Sequence, residues 1–147
     1  MNRRAMLAAF AALFLMPRLG WAAAPAKATL QLTKDPNCGC CGDHAEYLRG
    51  HGYAVDVRES SDLAKLRADL GVPTALVGCH LIQAEGYVIE GHVPAGAIDK
   101  LLAERPAIKG ISVPGMPLGS PGMGGEKTEP LVVLTIEDGK SQAFFTE

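Results

Sequence analysis

The chain has few aromatic residues, only 5% of its 147 positions, and no evident aromatic peptide groove can be read from them. It has no uninterrupted apolar stretch long enough to cross a bilayer, which takes about 20 residues. The longest, Ala5 to Met16, has 12. It has no excess of positive charge. Basic side chains number 14 against 16 acidic, and three of the basic ones (Arg3, Arg4 and Arg18) lie in the first 24 residues. The remaining chain carries 11 basic and 16 acidic side chains, a net charge of −5. That argues against nucleic acid as a partner and is compatible with binding a cation. A repeated C-x-x-C, the usual sign of a closed four-cysteine zinc site, is also missing.

The N-terminus has the form of an export signal. A basic start is followed by the 12-residue apolar run, then Pro17 and the small residues of "GWAAAPA". A run this short favours a cleaved signal over a membrane anchor. Residues 1–24 are read as a signal peptide, cut between Ala22 and Ala26. The expected location is the periplasm, an oxidising compartment in which a cysteine pair can stay oxidised, with no membrane attachment after cleavage.

Three of the four cysteines fall within the nine residues "PNCGCCGDH", as Cys38, Cys40 and Cys41; the fourth, Cys79, lies beside a histidine in "GCHL". "TLQLT" (29–33) reads as a strand that enters the turn-forming "KDPN". Cys41, Ala45 and Leu48 then recur at helical spacing up to Gly50 or Gly52. "YAVDV" (53–57) alternates as a strand. A helix follows on Leu63, Leu66 and Leu70. "HLIQA" and "YVIEG" flank Glu85-Gly86 as a hairpin. Pro94 opens a helix whose apolar face is Ile98, Leu101 and Leu102 and which ends near Arg105-Pro106. The pattern is α/β over residues 28–105.

From Pro106 to Pro130 the composition changes to half of all the prolines and six glycines, with the echo Pro114-Gly115-Met116 and Pro121-Gly122-Met123. A loop this long is usually functional or disordered. "LVVLTI" and "SQAFFT" around "EDGK" read as a closing hairpin. Residues 106–147 are therefore read as a Gly/Pro/Met-rich loop plus β-hairpin, folded back to extend or cover the sheet.

Cys38 and Cys41, after a strand and at a helix start, have the spacing of a redox pair, and a helix N-terminus lowers a thiol pKa there. Cys38 is then the exposed nucleophile and Cys41 its resolving partner. The same spacing closes on a metal ion. Cys40 is superfluous for dithiol exchange but useful if several thiolates converge on a soft ion such as Cu(I). Met116 and Met123 offer thioethers, or they are packing residues of the loop. His44, one turn after Cys41, is placed to face the same site. Of Cys79 and His80, adjacent residues on a strand, only one reaches the cluster. His92 reads as a structural hydrogen-bonding residue and His51 as solvated.

"CGCCGDHAEYLRGHGYAVDV", "GCHLIQAEGYVIEGHVPAGAI" and "VPGMPLGSPGM" together resemble the periplasmic copper-resistance proteins of the CopG type, from about Leu30 to the C-terminus. The resemblance implies a thioredoxin-like domain with a C-terminal extension that helps bind metal. It also implies copper clustered by cysteine sulfur and interconversion of Cu(I) and Cu(II). On this chain the implied C-x-C-C cysteines are Cys38, Cys40 and Cys41, with Cys79 as the second cysteine site. Gly78 and Leu81 depart from the small polar residue and Thr that many relatives carry around the C-H pair. The expected metal ligands are Cys38, Cys40, Cys41, Cys79, Met116 and Met123, with Cys38 and Cys41 as the redox pair. The expected protein is a monomer that binds copper ions, in one reading with a copper efflux system as partner. A thiol–disulfide oxidoreductase and a passive Cu(I) chaperone are the rival readings. For the fold, either "VPT" (72–74) or Cys79-His80 stands at the position opposite the helix start; the second needs only a tight hairpin and delivers Cys79 to the other cysteines.

Overall fold

The computed structural model describes residues 26–147; the signal-peptide segment, residues 1–24, lies outside the described residues. The elements are β1 (Thr29–Lys34), α1 (Gly39–Gly50), β2 (Ala54–Glu59), α2 (Leu63–Asp69), a 3-10 turn (Thr74–Leu76), β3 (Leu81–Ala84), β4 (Tyr87–Glu90), α3 (Ala95–Glu104), β5 (Gly110–Ser112), β6 (Val132–Ile136) and β7 (Ala143–Thr146). All seven strands join one sheet in the order β2-β1-β3-β4-β5-β6-β7. β1 pairs parallel with β2 and antiparallel with β3, and β3 pairs antiparallel with β4. That order and polarity are compatible with the implied thioredoxin-like core. No helix among the described residues is long and apolar enough to cross a membrane.

Side chains alternate across a strand, and here the alternation divides the core in two. Ile82 and Ile89 pack with Ala45 and Leu48 of α1 and with Ala97, Ile98 and Leu101 of α3. Their neighbours Leu81 and Val88 face the other way, onto Leu63, Leu66, Val72 and Leu76 of the α2 side. The sheet is thus a middle layer with α1 and α3 on one face and α2 on the other.

Two sequence expectations are corrected. α1 begins at Gly39, with Cys38 as its N-cap, rather than at Cys41. The Pro/Gly-rich stretch after Pro106 is not loop throughout: Gly110–Ser112 is a fully buried strand. It pairs parallel with β4 and antiparallel with β6. Three residues are too few for a period-2 signal. The strand exists because partners hold both its edges, and because Gly110 lets the backbone lie against β4, where a Cβ would stand 1.7 Å from the Val88 carbonyl oxygen. Through β5 the closing hairpin extends the sheet.

Candidate metal centre

The site starts at the C-terminal end of β1. Asp35 accepts from the Asn37 N–H through its side chain (2.8 Å) and from the Cys38 N–H through its carbonyl (3.0 Å), which turns the chain sharply into α1. No side chain caps the helix, whose N-cap is Cys38 itself. Unpaired N–H groups and the helix dipole both favour negative charge there.

Cys79 arrives from the other side, just before β3. Its Sγ lies 3.0 Å from Cys38 Sγ, 3.3 Å from Cys41 Sγ and 3.5 Å from Cys40 Sγ. Cys38 and Cys41 form a disulfide, while Cys40 and Cys79 are free. All four sulfurs lie within 4.8 Å of one another. Of the two registers open to the sequence, the one with Cys79-His80 opposite the helix start is the one found.

The position of Cys79 depends on residues that periodicity gives no reason to select. Arg67, on α2, donates to Glu90 at 2.6 Å and to the Gly78 carbonyl at 3.0 Å, so one guanidinium ties β4 to the residue before Cys79. Glu90 is completely buried. Burial raises its pKa to about 7, and Arg67 opposes the rise. Gly78 packs backbone to backbone on Gly91, where a Cβ would meet the Gly91 Cα at 2.5 Å. The local departure at Gly78 therefore fits a close approach that excludes any side chain. Burial also raises the Cys79 thiol to about 11, helped by its contact with Cys40 and opposed by Arg67. Without a metal, Cys79 is a poor thiolate at neutral pH; a coordinating thiol is deprotonated outright.

The two Pro-Gly-Met segments sit at different places. Gly115 bridges to Gly78, its N–H donating to the Val77 carbonyl at 2.9 Å. This sets Met116 in the wall of an open cleft of about 390 Å³ together with Cys38 and Cys79. Met116 is 58% exposed. The second segment is a turn in which the Met123 N–H donates to the Ser120 carbonyl (2.9 Å) and Gly122 has φ +78°. It packs on the start of α1, where a Cβ on Gly122 would meet the His44 nitrogen at 2.5 Å. Met123 is half-buried there and does not line the cleft.

His44 does not face the sulfurs. It is buried and its Nδ1 lies 2.8 Å from His80 Nε2. Cys79 lies in a bend before β3, where its sulfur meets the other cysteines while the His80 ring meets His44 of α1. His92 is buried beside them, its Nδ1 donating to the Pro121 carbonyl at 2.7 Å. His51 is exposed and bonds the Tyr47 carbonyl.

Residues 76–123 match the family described as "Protein of unknown function, DUF411". Two solved structures, "Copper resistance protein copG" in Form 1 and Form 2, superpose with a TM-score of 0.76 at 35% identity. The match covers 82% of this chain and 97% and 98% of those chains. The chain belongs to the CopG-type copper-resistance family. No curated protein matches it. The family match spans Cys79, His80, His92 and both Pro-Gly-Met turns, so it includes the second cysteine site but not the C-x-C-C segment. The structural match extends the likeness over most of the chain.

Proposed function

We propose that this is a periplasmic copper-binding protein of copper resistance that holds more than one copper ion on cysteine sulfur and interconverts Cu(I) and Cu(II). The observation that carries the reading is the convergence of four sulfurs, from two segments 38 residues apart, within 4.8 Å. Thiolates and thioethers are soft donors that suit Cu(I), and bridging thiolates let few sulfurs hold several ions. In this reading Cys38, Cys40, Cys41 and Cys79 are the thiolate ligands and Met116 and Met123 close over the copper. Met116 already stands in the wall of the cleft. The export signal 1–24, the thioredoxin-like domain 28–105 and the extension 106–147 belong to the same proposal, as do the monomeric state and delivery to an efflux system.

The disulfide gives the redox step a balanced form. Two Cu(II) ions take one electron each from the Cys38 and Cys41 thiolates, leaving two Cu(I) and the Cys38–Cys41 S–S bond. The reverse step breaks that bond and returns both thiolates. The rival reading, a thiol–disulfide oxidoreductase with Cys38 as its attacking thiol and Cys41 as its resolving partner, leaves the free Cys40 and Cys79 without a task, whereas copper binding uses both.

The test is metal analysis of protein purified from the periplasm. Copper above one equivalent per chain, lost in Cys40→Ser and Cys79→Ser, is the expected result. Zinc alone overturns the proposal. So does disulfide-reductase activity that survives Cys40→Ser and Met116→Ala in a protein that takes up no copper.

A further inference from the structure

The Cys38–Cys41 disulfide has one approachable end. Cys41 is completely buried, whereas Cys38 is part-exposed and lines the open cleft with Asp35, Asn37, Cys79 and Met116. A thiol that opens the bond from outside must therefore reach Cys38 through the cleft, and the walls of the cleft decide which thiols can.

An extended peptide gains its hold on a folded surface by adding as a strand to an unpaired backbone edge. Here the edge that leads to Cys79 is already used. The carbonyls of Leu76, Val77 and Gly78 accept in turn from the Ser112 hydroxyl (2.6 Å), the Gly115 N–H (2.9 Å) and the Arg67 guanidinium (3.0 Å). Ser112 and Gly115 both belong to the C-terminal extension. Gly115 lies alongside Gly78 in a parallel bridge, in the place an added strand would take. The opposite wall is spent in the same way. The Asp35 and Pro36 carbonyls accept from the Lys34 ammonium at 3.1 and 3.3 Å, and the Asp35 carboxylate accepts from the Asn37 N–H. Between the walls a space of about 390 Å³ stays open. That is at the lower end of the range for small-molecule clefts, about 300–1,000 Å³.

We propose that Pro114–Met116 is a built-in strand that keeps polypeptides off the Cys38–Cys41 disulfide, and that the thiol which reduces this bond is a low-molecular-weight one attacking Cys38 through the cleft. The proposal rests on the copper reading above, in which reduction of two Cu(II) ions leaves the disulfide behind, and it names the class of reaction that resets the pair. A first small thiolate bonds to Cys38 Sγ and breaks the S–S bond. Cys41 leaves as a thiolate in the first turn of α1, where the helix dipole favours negative charge. A second small thiolate attacks the outer sulfur of the mixed disulfide, and Cys38 leaves as a thiolate. Two small thiolates have become one small-molecule disulfide, and two electrons have passed to the cysteine pair.

The test starts from the full mature protein in its disulfide form, free of copper. Free cysteine and reduced thioredoxin, a protein dithiol, are the probes at equal thiol concentration. Opening of the bond is followed by acid quenching, alkylation and mass spectrometry, and the first mixed disulfide with cysteine is located by peptide mapping. The expected adduct is on Cys38. Thioredoxin is expected to be no faster than cysteine, although its thiol, with a pKa of about 7, is the better nucleophile at neutral pH. Gly115→Pro removes the N–H that pairs with Val77 and cannot adopt the φ of +70° found at Gly115. In this variant, with folding checked by circular dichroism, the thioredoxin-to-cysteine rate ratio is expected to rise about tenfold, because access limits exchange. An unchanged ratio overturns the proposal. So does a wild-type disulfide that thioredoxin opens about tenfold faster than cysteine does, or a first adduct on any other residue. Where the variant does not fold, those two wild-type measurements decide. Copper uptake is counted in a separate sample. Uptake together with any of these failures overturns this proposal alone, and no uptake overturns the copper reading and the resetting role with it.

Discussion

Arg67 and Glu90 show how much one pair of side chains can carry. The carboxylate is fully buried and the guanidinium nearly so, its side chain 14% exposed. Removing one partner of a buried pair leaves an uncompensated charge and costs about 3–5 kcal/mol, whereas replacing both with apolar groups is often neutral. Arg67→Gln is therefore expected to lower the stability of the metal-free protein by about that amount in urea unfolding. The double change Arg67→Met, Glu90→Leu is expected to recover most of the loss. It should still weaken copper binding, because nothing then holds the Gly78 carbonyl beside Cys79. A double variant that binds copper as tightly as wild type would show that Arg67 does not position Cys79. Sequence reading passed over both residues, because an arginine on an amphipathic helix and a glutamate at a strand end are ordinary surface residues until the fold buries them together. Gly122 is a second case. It has positive φ, and a Cβ added there would stand 2.5 Å from the His44 backbone nitrogen, so Gly122→Ala strains the backbone and forces the turn off α1. A lowered melting temperature is expected, together with loss of the Pro121–His92 hydrogen bond, visible as a shift of the His92 ring resonances.

Among the elements, those with a strong period were legible. α1, α3 and the β3–β4 hairpin lie within a few residues of where the apolar spacing placed them, because each presents a face that must be buried. β5 left no such trace, being three residues held by neighbours rather than by its own pattern. Its dependence on Gly110 is checkable. In Gly110→Ala the new Cβ falls on the Val88 carbonyl, and β4 and β5 must separate. Faster amide exchange in β5 and β6 than in β1 and β2 is expected, with a stability loss of about 1–3 kcal/mol, the range for core changes that force backbone shifts. Exchange rates unchanged in β5 would show that the sheet absorbs the methyl.

For the whole molecule, the decisive feature is that one sheet runs through both the α/β portion and the extension. Val133 and Ile136 of β6 are fully buried, one in each half of the core. A chain ending at Glu129 removes both and leaves β5 as an unpaired edge. It is expected to lose cooperative thermal unfolding by circular dichroism, and copper retention with it. A truncated chain that melts as sharply as the full one would make the hairpin an accessory instead.

The sequence by itself determined the local part of the site. C-x-C-C after a strand and at a helix start places three sulfurs at one helix N-terminus, because a few residues of backbone geometry suffice. It also determined the α/β class, since amphipathic periods report which faces are buried. Only the tertiary structure decided which distant groups meet the sulfurs. The pairing of β3 with β1 brings Cys79 to within 3.0 Å of Cys38. The bend before β3 sets His80 against His44 while Cys79 meets the sulfurs, and the return of the loop after β5 sets Met116 at the cleft and Pro121 over His92. Those contacts join residues tens of positions apart. Their geometry follows from sheet register and core packing, which no local spacing encodes.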